Sequence, residues 1–203
     1  MLSDTRQSGV LHIPNLRQQQ KDVYCLSKYS FTGEIESVYF HDSFILRGFF
    51  EKSDLVLFFK DSIIIGHSFP PEKNRMSSTI NPGEDRYALN ELQVIFKDFS
   101  LQSMICVGYR TFDDKGNLIE DIPSRTLGKD DYPSVLKMML SNEYNRVLSL
   151  SFDEKHISYE ITFESASDGN IYTVYFSFSS CFFQFDEFGS EAWYLTYANR
   201  ETP

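Results

Sequence analysis

The pattern along the chain is one of short apolar runs cut at brief intervals by turn-forming residues. It is densest in Ser37–Phe69, SVYFHDSFILRGFFEKSDLVLFFKDSIIIGHSF. Breaks fall at His41-Asp42-Ser43, Glu51-Lys52-Ser53-Asp54 and Lys60-Asp61-Ser62. Phe, Val, Ile and Tyr suit a pleated, half-buried surface, while Asp and Ser bond their own backbone in turns. The spacing therefore predicts a β-meander, with no room for an ordinary helix between the breaks. Pro70-Pro71 ends it, and Glu72–Asp85, rich in Lys, Asn, Ser, Pro and Gly, reads as a long surface loop.

A second strand pair is expected over Tyr87–Phe96 and Ser100–Thr111, followed by a turn at Asp113–Asn117. Asp131-Tyr132-Pro133-Ser134 opens the principal helix, whose Val135, Leu136, Met139 and Leu140 share one stripe and which should end near Asn142. The last third predicts another meander, with strands over Arg146–Phe152, His156–Glu164 and Ile171–Ser180. In the last of these, Tyr172, Val174, Phe176 and Phe178 alternate with Thr173, Tyr175, Ser177 and Ser179, as in an antiparallel sheet with one wet face. Glu191–Ala198 reads as a final strand.

These elements predict an α+β fold, predominantly antiparallel β-sheet in two meanders with one principal helix. The chain is expected to form a single β-rich domain over 1–203, with sub-lobes at 23–111 and 131–198 and a polar arm at 1–22. Three segments repeat a turn chemistry: Phe40-His41-Asp42, Phe59-Lys60-Asp61 and Phe96-Lys97-Asp98. Their spacing has no fixed period, so reused hairpin chemistry accounts for them better than a solenoid or propeller.

Composition changes the picture in two ways. Aromatics make up 16% of the chain, which predicts a ring-rich core. The net charge is -10, and residues 151–203 hold nine acids against Lys155 and Arg200, or -7 of that total. Without a basic stripe, nucleic acid is a poor partner; a basic protein is a natural one. Cys25, Cys106 and Cys181 are far apart and odd in number, so a disulfide framework or zinc ribbon is not expected. The opening residues lack an apolar signal region, and no run could span a bilayer, so a cytoplasmic location without membrane contact is expected.

Candidate catalytic motifs fail in turn. Ser134-Val135-Leu136-Lys137 matches S-x-x-K but has no S-D-N or K-T-G partner, and its serine suits a helix's first turn. The Asp113–Glu120 segment puts Lys115 and Leu118 where a calcium loop needs an oxygen ligand and a glycine. His12, His41, His67 and His156 lack metal spacing, although His41 and His67 bracket the first meander and could approach each other. Neighbouring carboxylates such as Asp130-Asp131 point to opposite faces on a strand and make poor acid–base pairs. No catalytic residue, metal site or cofactor is expected.

The ending carries more. Cys181–Tyr194 puts the only tryptophan beside a dense run of acids and rings. Rings rimmed by charge suit a protein-binding surface, and Asp153, Glu154, Asp186, Glu187 and Glu191, with Trp193 or Tyr194 as apolar anchor, are the candidate partner-binding residues. The competing view makes Trp193 and the phenylalanines core and the acids a solvated edge. The segment Asp186, Glu187, Phe188, Ala192, Trp193, Tyr194, after a β-rich chain with an early F-x-D-S turn, resembles the close of small acidic bacterial immunity proteins of polymorphic or contact-dependent growth-inhibition toxin systems. That resemblance implies a cytosolic inhibitor that binds one cognate toxin domain, often a nuclease. The alternative expectation is a β-sheet module holding a small apolar or sugar ligand in an internal cavity, for which the aromatic content of the meanders is the warrant.

Overall fold

The computed structural model describes residue 27, residues 29–66 and residues 84–198. The 1–22 arm, Cys25, His12, His67 and almost all of the Glu72–Asp85 loop lie outside the described residues.

The three expected breaks in the first meander are all turns, and each puts one residue in the left-handed region: Asp42 (φ 64°), Lys52 (57°) and Asp61 (62°). Asp98 (φ 52°) does the same between the next two strands. In each F-x-D segment the phenylalanine is buried (Phe40 2%, Phe59 0% and Phe96 0% exposed), so an inward ring ends a run and the following Asp reverses the chain. Aspartate tolerates that conformation better than most residues because its short side chain bonds locally. Ser43 and Ser62, which follow two of these aspartates, are wholly buried, and their hydroxyls lie 3.2 Å apart.

Most strands join one ten-stranded antiparallel sheet. Its first half is built on β1 (Tyr29–Gly33), β3 (Phe44–Glu51) and β4 (Asp54–Lys60), with β2 (Val38–Tyr39) and β5 (Ile63–Ile64) set aside in a small second sheet. The segment expected as one strand over Tyr87–Phe96 is two, β6 (Arg86–Leu89) and β7 (Leu92–Lys97). Asn90 breaks it at φ 67°, sending β6 to the small sheet and β7 to the large one. The segment expected over Ser100–Thr111 also divides, at Gly108, into β8 (Ser100–Val107) and β9 (Tyr109–Phe112). β10 (Leu118–Ile122) and β11 (Arg125–Thr126) follow, then α1 (Tyr132–Leu140), which matches the expected helix.

The last meander comprises β12 (Asn145–Asp153), β13 (Ser158–Glu164) and β14 (Ile171–Ser177), and β15 (Ser180–Phe185) returns to the first half. The order is β1-β15-β7-β4-β3-β12-β13-β14-β8-β11. Consecutive strands β7 and β8 therefore sit in different halves, as do β14 and β15. Their connections lie side by side, Ser179 donating its N–H to the Lys97 carbonyl at 2.8 Å. The core forms between the halves, where Phe96 of one meets Phe176 of the other at 5.4 Å. The buried face of α1 joins this core, and Leu140 packs over Gly48 of β3. The alternation expected in β14 is present, Tyr172, Val174 and Phe176 pointing into the core.

The continuous apolar run of β4 also has a cause. Leu55, Leu57 and Phe59 face the core, while Val56 pairs with Phe49 and Ile95 in an apolar row on the opposite face. No helix among the described residues is long and apolar enough to cross a membrane.

Candidate functional site

The carboxyl-terminal end turns away from the large sheet at Asp186. Before it, Phe183 and Phe185 of β15 point into the core at 0% and 1% exposure. Phe185 then stacks on Tyr29 at 5.2 Å and meets Phe188 edge-on at 4.9 Å, anchoring the departure. Strand β16 (Glu187–Glu191) leaves the ten-stranded sheet and pairs antiparallel with β6, Glu187 opposite Leu89 and Glu191 opposite Arg86. Ala192 is wholly buried, and its N–H donates to the Asp85 carbonyl at 2.8 Å. The next residues form a short helix, α2 (Trp193–Ala198), not the strand expected over Glu191–Ala198.

Asp85 organises this corner. One carboxylate oxygen accepts the Gly66 N–H at 2.8 Å, and the other accepts the Tyr194 hydroxyl at 2.5 Å. Burial first, and then the Asp85 carboxylate, push the Tyr194 phenol well above its ordinary range. Tyr194 is thus committed inward, whereas Trp193 is 56% exposed and meets Tyr194 edge-on at 5.7 Å. Of the two anchors expected from the sequence, only the indole faces outward.

Arg86 sits inside the acidic group. Its guanidinium lies 2.8 Å from Glu84 and 3.7 Å from Glu191, and donates to the Gly189 carbonyl at 3.5 Å. Glu84, Asp85, Asp186, Glu187 and Glu191 against this one arginine leave the two strands and their lead-in at -4. Arg86, Tyr87, Ser190, Glu191 and Trp193 line an open cleft of about 560 Å³. Arg86 and Asp85 lie about a hundred positions upstream of Trp193, and no local signal marks them as its neighbours; the β6–β16 pairing brings them there.

The expected common acidic face is divided. Glu191 lines the cleft with Trp193, and Tyr194 follows on the same helix; Asp186 and Glu187 lie at the other end of β16, and Asp153 and Glu154 are on a different turn. β12 meets β3 at the Arg146–Phe44 pair, and Asp153 lies at the other end of that strand, in the β12–β13 turn. There Asp153 accepts the Lys155 N–H at 2.8 Å and bonds the His156 ring, and the His156 bond above all holds its carboxyl below the usual range. Asp153 shapes a turn.

The interior is filled by rings: Phe31, Phe59, Phe96, Phe163, Phe176 and Phe183 are each at most 1% exposed. Among the described residues, no three His, Cys, Asp or Glu side chains are grouped to hold a metal. Cys106 and Cys181 are unbridged thiols, and burial pushes the Cys181 thiol far up. Comparison with known proteins gives no matching family model, no matching curated protein and no matching solved structure.

Proposed function

We propose that this chain is a non-enzymatic inhibitor of the immunity type, a cytoplasmic protein that neutralises a basic toxin domain by binding it through the corner at β16 and α2. Trp193 is the apolar anchor, and Asp186, Glu187 and Glu191 select the cationic partner. The observation that carries this reading is the outward indole. Phe183 and Phe185 of the preceding strand are buried at 0% and 1%, whereas the single tryptophan stands 56% exposed in a segment of net -4. A large ring that a partner can desolvate, with charged groups beside it, has the anatomy of a binding hot spot. A ligand held inside the sheet has less support, because rings fill that space.

The first test is whether the reading frame beside this one in its host genome encodes a toxin, and a neighbour without a toxin domain would count against the proposal. The carboxyl-terminal domain of an encoded toxin is then expressed with and without this protein, and growth and complex formation are followed. Co-expression should restore growth, and affinity should fall steeply as salt rises from roughly 50 to 500 mM, because screening shortens the reach of surface charge. Asp186→Lys with Glu187→Lys should abolish both. A complex indifferent to salt and to those reversals would refute the acidic-corner reading.

A further inference from the structure

We propose that the β9–β10 ribbon is a self-association arm, which packs against the same ribbon of a second copy of this chain. The ribbon extends the edge of the large sheet. β8 runs through Gly108 into β9, and β10 returns through Pro123-Ser124 into β11, which pairs with β8. Gly108 is required at the base. A Cβ there would lie 2.0 Å from the Ile122 carbonyl oxygen and 2.4 Å from the Ser124 nitrogen, and the Gly108 N–H donates to Ser124 Oγ at 2.8 Å. At the tip, Asp113 accepts the N–H groups of Lys115 and Asn117 at 2.9 and 2.8 Å. Both ends are fixed, so the arm is a built element.

Its surface is unusual for an acidic protein. Every residue of both strands is exposed, including Tyr109 (46%), Phe112 (56%), Leu118 (53%), Ile119 (68%) and Ile122 (41%). Phe112 lies opposite Leu118, and Tyr109 opposite Ile122 three residues nearer the base along β9. Strand alternation puts Phe112 and Leu118 on one face and Tyr109 and Ile122 on the other, and with about 200 Å² for each large apolar side chain each pair exposes roughly 200 Å². Large apolar side chains exposed on both faces of one small ribbon mark a contact element on a soluble protein. Neither strand has a further partner among the described residues, so both edges offer backbone groups for pairing.

Charge selects the occupant. Residues 108–125 hold Arg110, Lys115 and Arg125 against Asp113, Asp114, Glu120 and Asp121, a net of -1 in a chain of -10. Two copies repel least where they meet arm to arm. A two-fold contact must also be self-complementary, and Arg110 and Asp121 stand as a cross-strand ion pair at 3.1 Å. Across a two-fold axis, each copy presents a cation and an anion to its counterpart.

The test is sedimentation velocity of the full chain from roughly 1 to 100 µM at low and high salt. The expected result is a concentration-dependent dimer that tightens with salt, as screening relieves repulsion between two anionic copies. Phe112→Asp with Ile119→Asp should leave a monomer with unaltered circular dichroism and melting temperature. Arg110→Glu should weaken the dimer at least tenfold, and Arg110→Glu with Asp121→Arg should restore it. A wild type monomeric at about 100 µM would overturn the proposal, as would a dimer that both sets of substitutions leave intact.

Discussion

Trp193→Ala separates a binding role from a packing role at the carboxyl-terminal corner. The residue is 56% exposed. With about 250 Å² for an indole side chain, roughly 140 Å² remains for a partner to cover. At about 25 cal/mol per Å², covering it stabilises a complex by up to about 3.5 kcal/mol, a few-hundred-fold in Kd. The folded monomer should feel much less, because that area is already in water and the wholly buried neighbour Ala192 keeps its bond to Asp85. Titration calorimetry against the toxin domain measures the first quantity, and urea denaturation of the protein alone the second. The expected result is a loss of 2–3 kcal/mol in binding with less than about 1 kcal/mol in stability. Equal binding by wild type and variant would remove the anchor from the site. A stability loss of about 3 kcal/mol with unchanged affinity would make Trp193 a packing residue.

Four further substitutions at three positions test the fold. The Tyr172 hydroxyl donates to Asp168 at 2.7 Å, and burial, then that hydrogen bond, push the phenol up to about 12. A raised folded-state pKa stabilises below the unfolded value and is lost as pH climbs through the folded one. The roughly 1–2 kcal/mol by which wild type exceeds Tyr172→Phe should hold to near pH 10 and fade by pH 12, measured as urea midpoints. Asp61→Val should cost about 1–2 kcal/mol because a β-branched residue resists φ 62°, whereas Asp61→Gly should stay within about 0.5 kcal/mol. At Gly48 a Cβ would lie 2.6 Å from side-chain carbons of Leu57 and Leu140 and 2.8 Å from the Val56 carbonyl oxygen. Gly48→Ala should therefore lower stability by about 1–3 kcal/mol, read from thermal melts of the α1 circular dichroism signal.

Local chemistry was legible in the sequence, and long-range pairing was not. The aspartates at 42, 61 and 98 mark reversals because each follows an inward phenylalanine by two positions, a pattern visible within four residues. The stripe of α1 and the alternation of β14 are equally local. Asn90 was harder, because it splits a run that reads as one strand and shows its break only in its positive φ. The Trp193–Ala198 segment reads as strand since Trp, Tyr, Leu and Thr suit sheets. It turns helical where the Asp85 carbonyl captures the Ala192 N–H, a contact spanning 107 positions. The same distance hid Arg86 from its neighbour Glu191. The gap between the expected strands Arg146–Phe152 and His156–Glu164 put Asp153 in a reversal, but the end of the molecule it occupies depends on the β3–β12 register. For the arm, periodicity reports which side chains share a face, not whether anything covers that face.

The two proposed contacts respond to salt in opposite directions, and this makes them separable in one solution. At the corner, a segment of net -4 meets a cationic partner, so screening weakens the complex. At the arm, copies each carrying -10 approach through their least charged element, so screening strengthens the contact. Asp121 of the arm and Asp186 of the corner lie on different sheets' extensions with no element shared between them, and occupancy of one contact need not disturb the other. A complex with the toxin domain should therefore be two-to-two near physiological salt. Phe112→Asp with Ile119→Asp should reduce it to one-to-one without changing affinity per site, while Trp193→Ala should leave the dimer whole and lose the toxin. Light scattering on the purified mixtures reads all three states. A one-to-one complex formed by a wild type that is dimeric when alone would show that toxin and second copy compete for one surface, contrary to the placement of the arm and the indole on separate elements.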